Sequence, residues 1–380
     1  GQPMTQTVDF AVIGAGIAGA SAAFELAEHG TVQVFEMEAT PGHHSTGRSA
    51  ALYTECDGPQ LLRRLAIASR PFLADPPPDF AELPILHARG VMFVARDDRA
   101  DKLDGFFAQQ RALVPSISRM DVSTVVEHCR VLRPDRIAGG VLEPEAHDID
   151  VHTLHHGFIN GLRRRGGTIQ TSSPVTALTA VGSAWRVSTP TGTVEAEVVV
   201  NAAGAWCDVV AEMAGVRPVG LQPKRRTAFT FAAPDGDDHQ SWPMVVDIDE
   251  TLYFRPEGPN LLASPEDQTP VEPQDIRHEE IDVALAIERI EEMTTMKIRN
   301  VQSAWAGLRS FVADNVPVVG FAEEAPGFFW LAGQGGYGIM TSPAMSRLTA
   351  GLITAGEIPA DIAAHGITQS DLAPARLWQT

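Results

Sequence analysis

The apolar and polar positions follow their clearest pattern near the amino end of the chain. Residues 8–13 form a short apolar run rich in strand-forming residues, and residues 20–29 are rich in helix formers. Gly30 stands where a glycine commonly ends a helix, and residues 32–35 form a second apolar run. This order predicts a β-strand, a tight turn, a helix and a second β-strand.

The turn before the predicted helix has a sequence typical of dinucleotide-binding proteins. It reads Gly14-Ala15-Gly16-Ile17-Ala18-Gly19, and Glu36 follows the second strand. In such a turn the first glycine allows the bend, the second admits a pyrophosphate and the third lets helix and strand pack closely. The helix N-terminus attracts phosphate, and the acid accepts hydrogen bonds from a ribose. The alternative is a glycine turn in an unrelated βαβ unit. The dinucleotide contacts that we predict here are Gly14, Gly16, Ile17, Ala18, Gly19 and Glu36.

The segment that follows Glu36 favours FAD over NAD as the dinucleotide. Residues 41–51 are small and polar and include one arginine. A simple NAD dehydrogenase has no need of such a stretch, whereas in an FAD enzyme the chain must run along the dinucleotide to the flavin. Hydroxyls and a cation there suit phosphate and ribitol oxygens, although an ordinary polar loop is the alternative. The predicted contacts are Ser45, Thr46, Arg48, Ser49, Ala50 and Ala51.

Two further apolar runs lead into turns of small residues. Residues 328–332 precede a glycine-rich turn at 333–338, with a helix predicted over 339–350, and the strand-like start of residues 198–206 leads into the small residues 202–205. Backbone N–H groups at such turns suit the electron-rich edge of a reduced flavin. The cofactor contacts predicted in the later parts of the chain are Val175, Ala203, Gly204, Trp206, Gly307, Gly333, Gly335, Gly336, Tyr337, Gly338 and Ile339.

Composition and charge exclude several classes of protein. The net charge of −19 at pH 7 argues against binding of nucleic acid or of an anionic membrane surface. No apolar run reaches the roughly 18 residues of a transmembrane helix, and the three cysteines lack metal-site spacing. We therefore predict a cytoplasmic protein with no transmembrane segment. The pairs His43–His44 and His155–His156 are not expected to bind a metal, because neighbouring side chains should point apart.

With these segments in place, the chain resembles the D-amino acid oxidase and glycine oxidase family of flavoproteins. Within it, the chain is most similar to bacterial D-arginine dehydrogenase-like D-amino acid dehydrogenases. The resemblance covers nearly the whole chain and rests on residues 12–21, 44–51, 199–208, 221–226, 304–314 and 333–339. It implies an α/β fold, in which a Rossmann-type FAD-binding domain carries an α+β cap with an antiparallel sheet. The FAD-binding domain is expected to comprise residues 1–75, 150–220 and 306–380, and the cap residues 76–149 and 221–305.

The resemblance also implies a substrate site and a reaction. Arg226, Tyr253 and Arg309 match the carboxylate-binding positions of the family, Gly336 matches the carbonyl that meets the substrate amine, and Tyr53 is a further pocket position. A buried carboxylate needs such fork-shaped partners. The implied reaction is hydride transfer from Cα to flavin N5, after which the imino acid hydrolyses to a 2-oxo acid and ammonia. We expect non-covalent FAD and no catalytic acid or base.

Three pocket positions depart from the arginine-specific relatives. Those relatives carry a carboxylate, a histidine and a tyrosine where this chain has Val91, Leu52 and Asp57. A valine cannot pair a guanidinium, and breaking such a buried pair costs about 3–5 kcal/mol. We therefore predict a D-amino acid with an apolar or uncharged side chain as substrate, rather than arginine. The opposing hypothesis is that Asp57 replaces the lost carboxylate.

Other functions stay open at this point. Without these three side chains of the arginine-specific relatives, the pocket would also fit the substrate of a glycine-oxidase-like or secondary-amine oxidase. Two further classes share the cofactor fold: an NAD(P)H-dependent flavin hydroxylase and a non-catalytic FAD-binding subunit. We expect oxygen or a quinone- or dye-type compound as electron acceptor, and the sequence does not distinguish oxidase from dehydrogenase.

Overall fold

The predicted strand, turn and helix at the amino end are present in the structure, a computed structural model that describes residues 5–48 and 51–378. The strands are Gln6–Ile13 (β1), Val32–Phe35 (β2), Leu52–Tyr53 (β3), Leu86–Ala88 (β4), Val91–Arg96 (β5), Ser118–Met120 (β6), Ile137–Glu143 (β7), His147–Ile149 (β8), Thr168–Gln170 (β9), Ala177–Val181 (β10), Ala184–Thr189 (β11), Gly192–Asn201 (β12), Gln222–Ala232 (β13), Met244–Asp247 (β14), Tyr253–Glu257 (β15), Asn260–Ser264 (β16), Thr269–Pro270 (β17), Val301–Phe311 (β18), Val318–Phe321 (β19) and Phe328–Ala332 (β20). The helices are Ile17–Leu26 (α1), Gln60–Ala74 (α2), Ala100–Arg111 (α3), Val122–His128 (α4), Val151–Arg164 (α5), Cys207–Met213 (α6), Glu280–Met293 (α7), Ser342–Thr354 (α8), Ala360–Ala363 (α9) and Gln369–Leu372 (α10).

The first sheet is built around β1, which is parallel to β2 on one side and to β12 on the other. Its strand order is β10-β11-β12-β1-β2-β9, with β20 also paired to β12 and β19 paired to β20. Both faces are covered, which explains the continuous apolar runs of the central strands. Val12 packs into the core with α1 and α8, whereas its neighbour Ala11 packs into the core on the opposite face.

The second sheet has the strand order β17-β13-β16-β15-β14-β5-β7-β6, with β18 paired to β13. It is antiparallel except for β5 and β14, which run parallel with Val91 opposite Met244. The predicted antiparallel sheet is therefore present, with one parallel pair within it. The chain between β5 and β14 passes through the first sheet before it returns, so no hairpin forces these strands to run in opposite directions.

The two sheets divide the chain nearly as the predicted domain ranges do. Strands of the first sheet fall within 1–75, 150–220 and 306–380, whereas β18 crosses the predicted boundary at 306. A third, small sheet joins β3, β8 and β4 and so links the two ranges. The division into an FAD-binding domain and a cap stays a prediction that this arrangement supports.

Two helix boundaries differ from the prediction. The first helix ends at Leu26, and Gly30 does not adopt a positive φ; it is needed because a Cβ there would lie 2.4 Å from Asp9 Oδ2. The helix predicted from residue 339 begins at Ser342, after a turn. Asp150 caps α5 by accepting a hydrogen bond from Thr153 N at 3.0 Å. Over residues 5–48 and 51–378, no helix has the length and apolar character that crossing a membrane would require.

Candidate active site

One cavity of about 380 Å³ brings together most of the residues that the sequence singled out. It is lined by the turn between β1 and α1, the loop after β2, strands of the second sheet and the glycine-rich segment after β20. The predicted site residues on its wall are Gly14, Gly16, Ile17, Ala18, Glu36, Ser45, Thr46, Arg48, Ala51, Leu52, Asp57, Val91, Val175, Ala203, Gly204, Trp206, Arg226, Tyr253, Gly307, Arg309, Gly333, Gly335, Gly336, Tyr337, Gly338 and Ile339.

Of the predicted site residues that the structure describes, two are not on this wall: Gly19 and Tyr53. Ser49 and Ala50 lie outside the described residues. Gly19 acts through packing, since a Cβ there would lie 1.7 Å from Gly14 O. Tyr53 does not reach the cavity: it is fully buried in the core, and its hydroxyl donates to Glu55 Oε2 at 2.9 Å. Successive side chains of a strand point to opposite faces, so Leu52 on the cavity wall directs Tyr53 away from it.

The turn after β1 leaves its backbone exposed to the cavity, as a pyrophosphate site requires. Gly14 has a φ of +103°, and a Cβ there would lie 2.3 Å from Ala202 O, so no other residue fits. Glu36 is buried beside this turn, where Ala15 N donates to its Oε1 at 3.1 Å and Glu38 N to its Oε2 at 2.9 Å. Each carboxylate oxygen keeps a lone pair, so the geometry suits a ribose hydroxyl.

The loop after β2 uses its polar groups differently from the prediction. Thr46 Oγ1 accepts a hydrogen bond from Ile17 N at 2.9 Å and so caps α1 from outside the helix. Ser45 Oγ donates to Leu308 O at 3.1 Å. The guanidinium of Arg48 binds Asp275 Oδ1 at 2.5 Å and the carbonyl of Ile276 at 2.9 Å. Arg48 therefore ties this loop to the segment between β17 and α7, and its contact with the cofactor stays a prediction.

The rings of His43 and His44 pack edge to face, with centroids 4.8 Å apart, so the expectation that they point apart is wrong. The chain here turns tightly instead of extending, which brings Glu38 Oε1 to 2.8 Å from His44 Nε2. Potential ligand atoms of Glu38, His43 and His44 lie within 4.8 Å of one another. Arg48 Nη2 lies only 3.2 Å from His43 Nε2, and its positive charge opposes a cation there.

Two guanidinium groups line the same cavity. Arg226 on β13 and Arg309 on β18 are brought together because these strands pair, with Arg226 opposite Gly307 and Lys224 opposite Arg309. Arg226 Nε donates to Asp267 O at 3.0 Å, whereas the side chain of Arg309 forms no hydrogen bond or ion pair with any described residue. Burial, followed by the neighbouring Arg226, lowers the pKa of Arg309. Both guanidinium groups have N–H donors left for a substrate carboxylate.

The carboxylates on the cavity wall include Asp57, Glu250 and Glu266. None of these three forms an ion pair in the part of the chain that the structure describes. Burial raises the pKa of Asp57, and Arg309 and Arg226 oppose this change. Glu250 and Glu266 were missed by the sequence reasoning. Both have a positive φ, of 59° and 53°, which nothing in the sequence signals.

An apolar wall completes the cavity beside the acids and arginines. It consists of Val91, Phe93, Phe106, Met244, Val246 and Ile248, from β5, α3, β14 and the residue after β14. Val91 is completely buried. Phe93 was missed, although the two-residue spacing from Val91 puts it on the same face of β5. This wall suits an apolar ligand group.

The contact between Gly336 and Arg309 gives a first testable prediction. A Cβ at Gly336 would lie 1.6 Å from Arg309 Nη2, so Gly336→Ala must displace the guanidinium. We expect kcat/KM for the substrate to fall about 100-fold, the effect of misplacing a binding group by about 1 Å. Bound cofactor should be retained, as judged from its absorbance after gel filtration. The matched control is Gly105→Ala, where a Cβ meets nothing within 4 Å. An unchanged kcat/KM in Gly336→Ala would contradict the placement of Arg309.

Comparisons with known proteins agree on one family. The family model described as FAD dependent oxidoreductase (DAO) matches residues 9–352. Glycine oxidase from Bacillus licheniformis is 25% identical over 92% of this chain and 94% of its own. Rat mitochondrial dimethylglycine dehydrogenase is 24% identical over 92% of this chain, but only 43% of its own length is spanned. The crystal structure of glycine oxidase from Geobacillus kaustophilus has a TM-score of 0.81 at 23% identity, covering 92% of this chain and 95% of that one.

Proposed function

The chain belongs to the DAO family of FAD-dependent oxidoreductases, and from this membership we propose that it oxidatively deaminates a D-amino acid whose side chain is apolar or uncharged. The observation that carries the proposal is the pair of guanidinium forks, Arg226 and Arg309, beside an apolar wall in the same cavity. An amino acid offers a carboxylate to such forks and a side chain to such a wall.

The protein's part in the reaction is to bind and orient. The turn at Gly14 and Gly16, Glu36 and the glycine-rich segment 333–338 would hold the FAD, which when bound accepts a hydride from the substrate Cα. Arg226, Arg309 and Tyr253 would hold the substrate carboxylate, and the carbonyl of Gly336 its amino group. The apolar wall excludes water from the α-carbon, and positioning of this kind supplies a large part of catalysis. The imino acid then hydrolyses to a 2-oxo acid and ammonia.

A second candidate substrate is glycine or an N-methylated glycine. The names of the relatives, glycine oxidase and dimethylglycine dehydrogenase, favour it. The apolar wall argues against it, because glycine has no side chain to fill the space beside Val91, Phe93 and Met244. The flavin hydroxylase and the non-catalytic FAD-binding subunit have no such support.

The deciding experiment is anaerobic reduction of the protein-bound flavin, followed near its 450 nm absorbance. The substrates compared are D- and L-forms of leucine, methionine, phenylalanine and arginine, together with glycine, sarcosine, dimethylglycine and NADH. Bleaching by apolar D-amino acids alone is the expected result. Bleaching only by glycine or its N-methyl forms would replace the proposal with the second candidate. Bleaching by NADH alone would indicate a hydroxylase, and no bleaching at all a binding subunit.

We also propose that the FAD is held without a covalent bond. Cys56 lies on the cavity wall. Burial raises the pKa of its thiol, so the nucleophilic thiolate is scarce. Acid precipitation should leave all yellow colour in the supernatant, whereas colour retained in the pellet would refute the proposal. Oxygen or a quinone- or dye-type electron acceptor and a cytoplasmic location stay predictions from the sequence.

A further inference from the structure

Among the described residues of the cavity wall, one carboxylate has a buried oxygen atom without a hydrogen-bond partner. Glu266 lies two residues after β16 and lines the cavity. Its Oε2 atom is buried and accepts no hydrogen bond from any described residue. Buried polar atoms are nearly always hydrogen-bonded, so an oxygen without a partner at a ligand cavity indicates a partner that arrives with the ligand.

Glu266 is held in this place by an unfavourable backbone conformation. Its φ is +53°, in the left-handed region that non-glycine residues rarely adopt. The next residue, Asp267, fixes the position: its carboxylate accepts from Thr227 N at 2.6 Å, and its carbonyl accepts from Arg226 Nε at 3.0 Å. Strained residues of this kind cluster at functional sites. The chain therefore presents Glu266 next to the arginine that would bind the substrate carboxylate.

The charges around Glu266 come from several elements. Arg226 on β13 and Arg309 on β18 attract its negative charge, whereas Asp57 before α2 and Glu250 before β15 repel it. Behind it, Arg289 on α7 donates to the carbonyl of Pro265 at 3.2 Å and does not reach the carboxylate. Burial is the largest cause that raises the pKa of Glu266, to about 7.

We propose that Glu266 binds the amino group of the substrate and takes its proton before the α-carbon is oxidised. This inference rests on the proposed function, because it assumes an amino acid whose carboxylate is held by Arg226 and Arg309. An N–H bond of the substrate ammonium breaks, and the proton moves to a carboxylate oxygen of Glu266. The products of the step are a neutral amine and a carboxylic acid, and no electrons leave the substrate at this stage. A neutral amine is the form from which an α-hydride can depart.

The direction of the pH dependence follows from this assignment. Below pH 7 Glu266 is protonated in the free protein and cannot accept the proton, whereas above pH 7 it is ionised. The kcat/KM should therefore rise through about pH 7. In Glu266→Gln this rise should disappear, and kcat/KM at pH 8.5 should fall about 100-fold, a typical loss for removal of a general base.

A binding measurement separates this role from a structural one without any turnover. The probe is 2-aminoisobutyric acid, an amino acid that has no α-hydrogen, bound to the FAD-containing protein. Calorimetry in buffers of different ionisation enthalpy counts the protons released. The wild type should release about one proton more at pH 6 than at pH 8.5, because Glu266 must give up its proton at pH 6. Glu266→Gln should show no such difference.

Three variants serve as comparisons. Asp57→Asn should keep the difference in proton release between pH 6 and pH 8.5. If this variant loses the difference, the ionising group is Asp57 and the proposal is overturned. In Glu266→Asp, kcat/KM should still rise with pH, although kcat/KM itself should be lower than in the wild type. Glu272→Gln, at an exposed glutamate, should behave as the wild type. If Glu266→Gln keeps the pH-dependent rise while amino acids still bleach the flavin, the inference fails but the proposed function stands.

Discussion

Replacing Arg309 with methionine is expected to lower kcat/KM for the amino acid substrate by about 1,000-fold, while the protein keeps its FAD. Among the residues that the structure describes, none pairs with the guanidinium of Arg309 on the cavity wall, so its donors are available to the substrate carboxylate. Removing one member of a buried charge pair costs on the order of 2–5 kcal/mol, and 4 kcal/mol corresponds to roughly this loss. Anaerobic flavin reduction over a range of substrate concentrations measures it.

Arg309→Lys tests whether shape or charge carries the effect. Lysine keeps the positive charge but not the planar fork that donates two parallel hydrogen bonds to a carboxylate. We expect a loss of about 100-fold, between the wild type and methionine. The matched control is Arg299→Met at an exposed position, which should leave the rate unchanged. If the flavin of Arg309→Met is reduced at the wild-type rate, the substrate carboxylate does not bind at Arg309.

The nucleotide end of the cavity could be predicted from the sequence because its parts are local. The strand, the glycine turn and the acid at Glu36 lie within one βαβ unit, where spacing reports geometry. The structure keeps this arrangement, with Gly14 at a φ of +103° and Glu36 bound by Ala15 N. Arg226 and Arg309 were placed by resemblance, and the pairing of β13 with β18 explains how they meet.

Side-chain direction within short irregular segments could not be predicted in the same way. Tyr53 and Arg48 both lie in the right part of the chain, but Tyr53 points into the core and Arg48 pairs with Asp275. Asp275 is distant from Arg48 in sequence, so no local sequence pattern predicts this ion pair. Glu250 and Glu266 are further examples, because a left-handed backbone at a non-glycine residue depends on long-range contacts.

Replacing Val91 with glutamate is expected to raise the kcat/KM for D-arginine, relative to D-methionine, by about 100- to 1,000-fold. Val91 is completely buried on the apolar wall, so in the wild type a guanidinium reaching it would lose its water without gaining a partner. An unpaired buried charge of this kind costs about 3–5 kcal/mol. Val91→Gln is the matched control, because it adds the same length without the charge and should give a much smaller change.

The neighbour of Val91 decides how the new preference depends on pH. Glu143 lies directly opposite in β7, and its buried carboxylate accepts hydrogen bonds from Thr54 Oγ1 and Glu55 N. A glutamate at position 91 would face a second carboxylate, which raises its pKa, so the preference for D-arginine should grow as pH rises. Stability should fall for the same reason and recover when D-arginine binds. If the wild type already prefers D-arginine, or if Val91→Gln matches Val91→Glu, the acids at Asp57, Glu250 and Glu266 would instead serve as the guanidinium site.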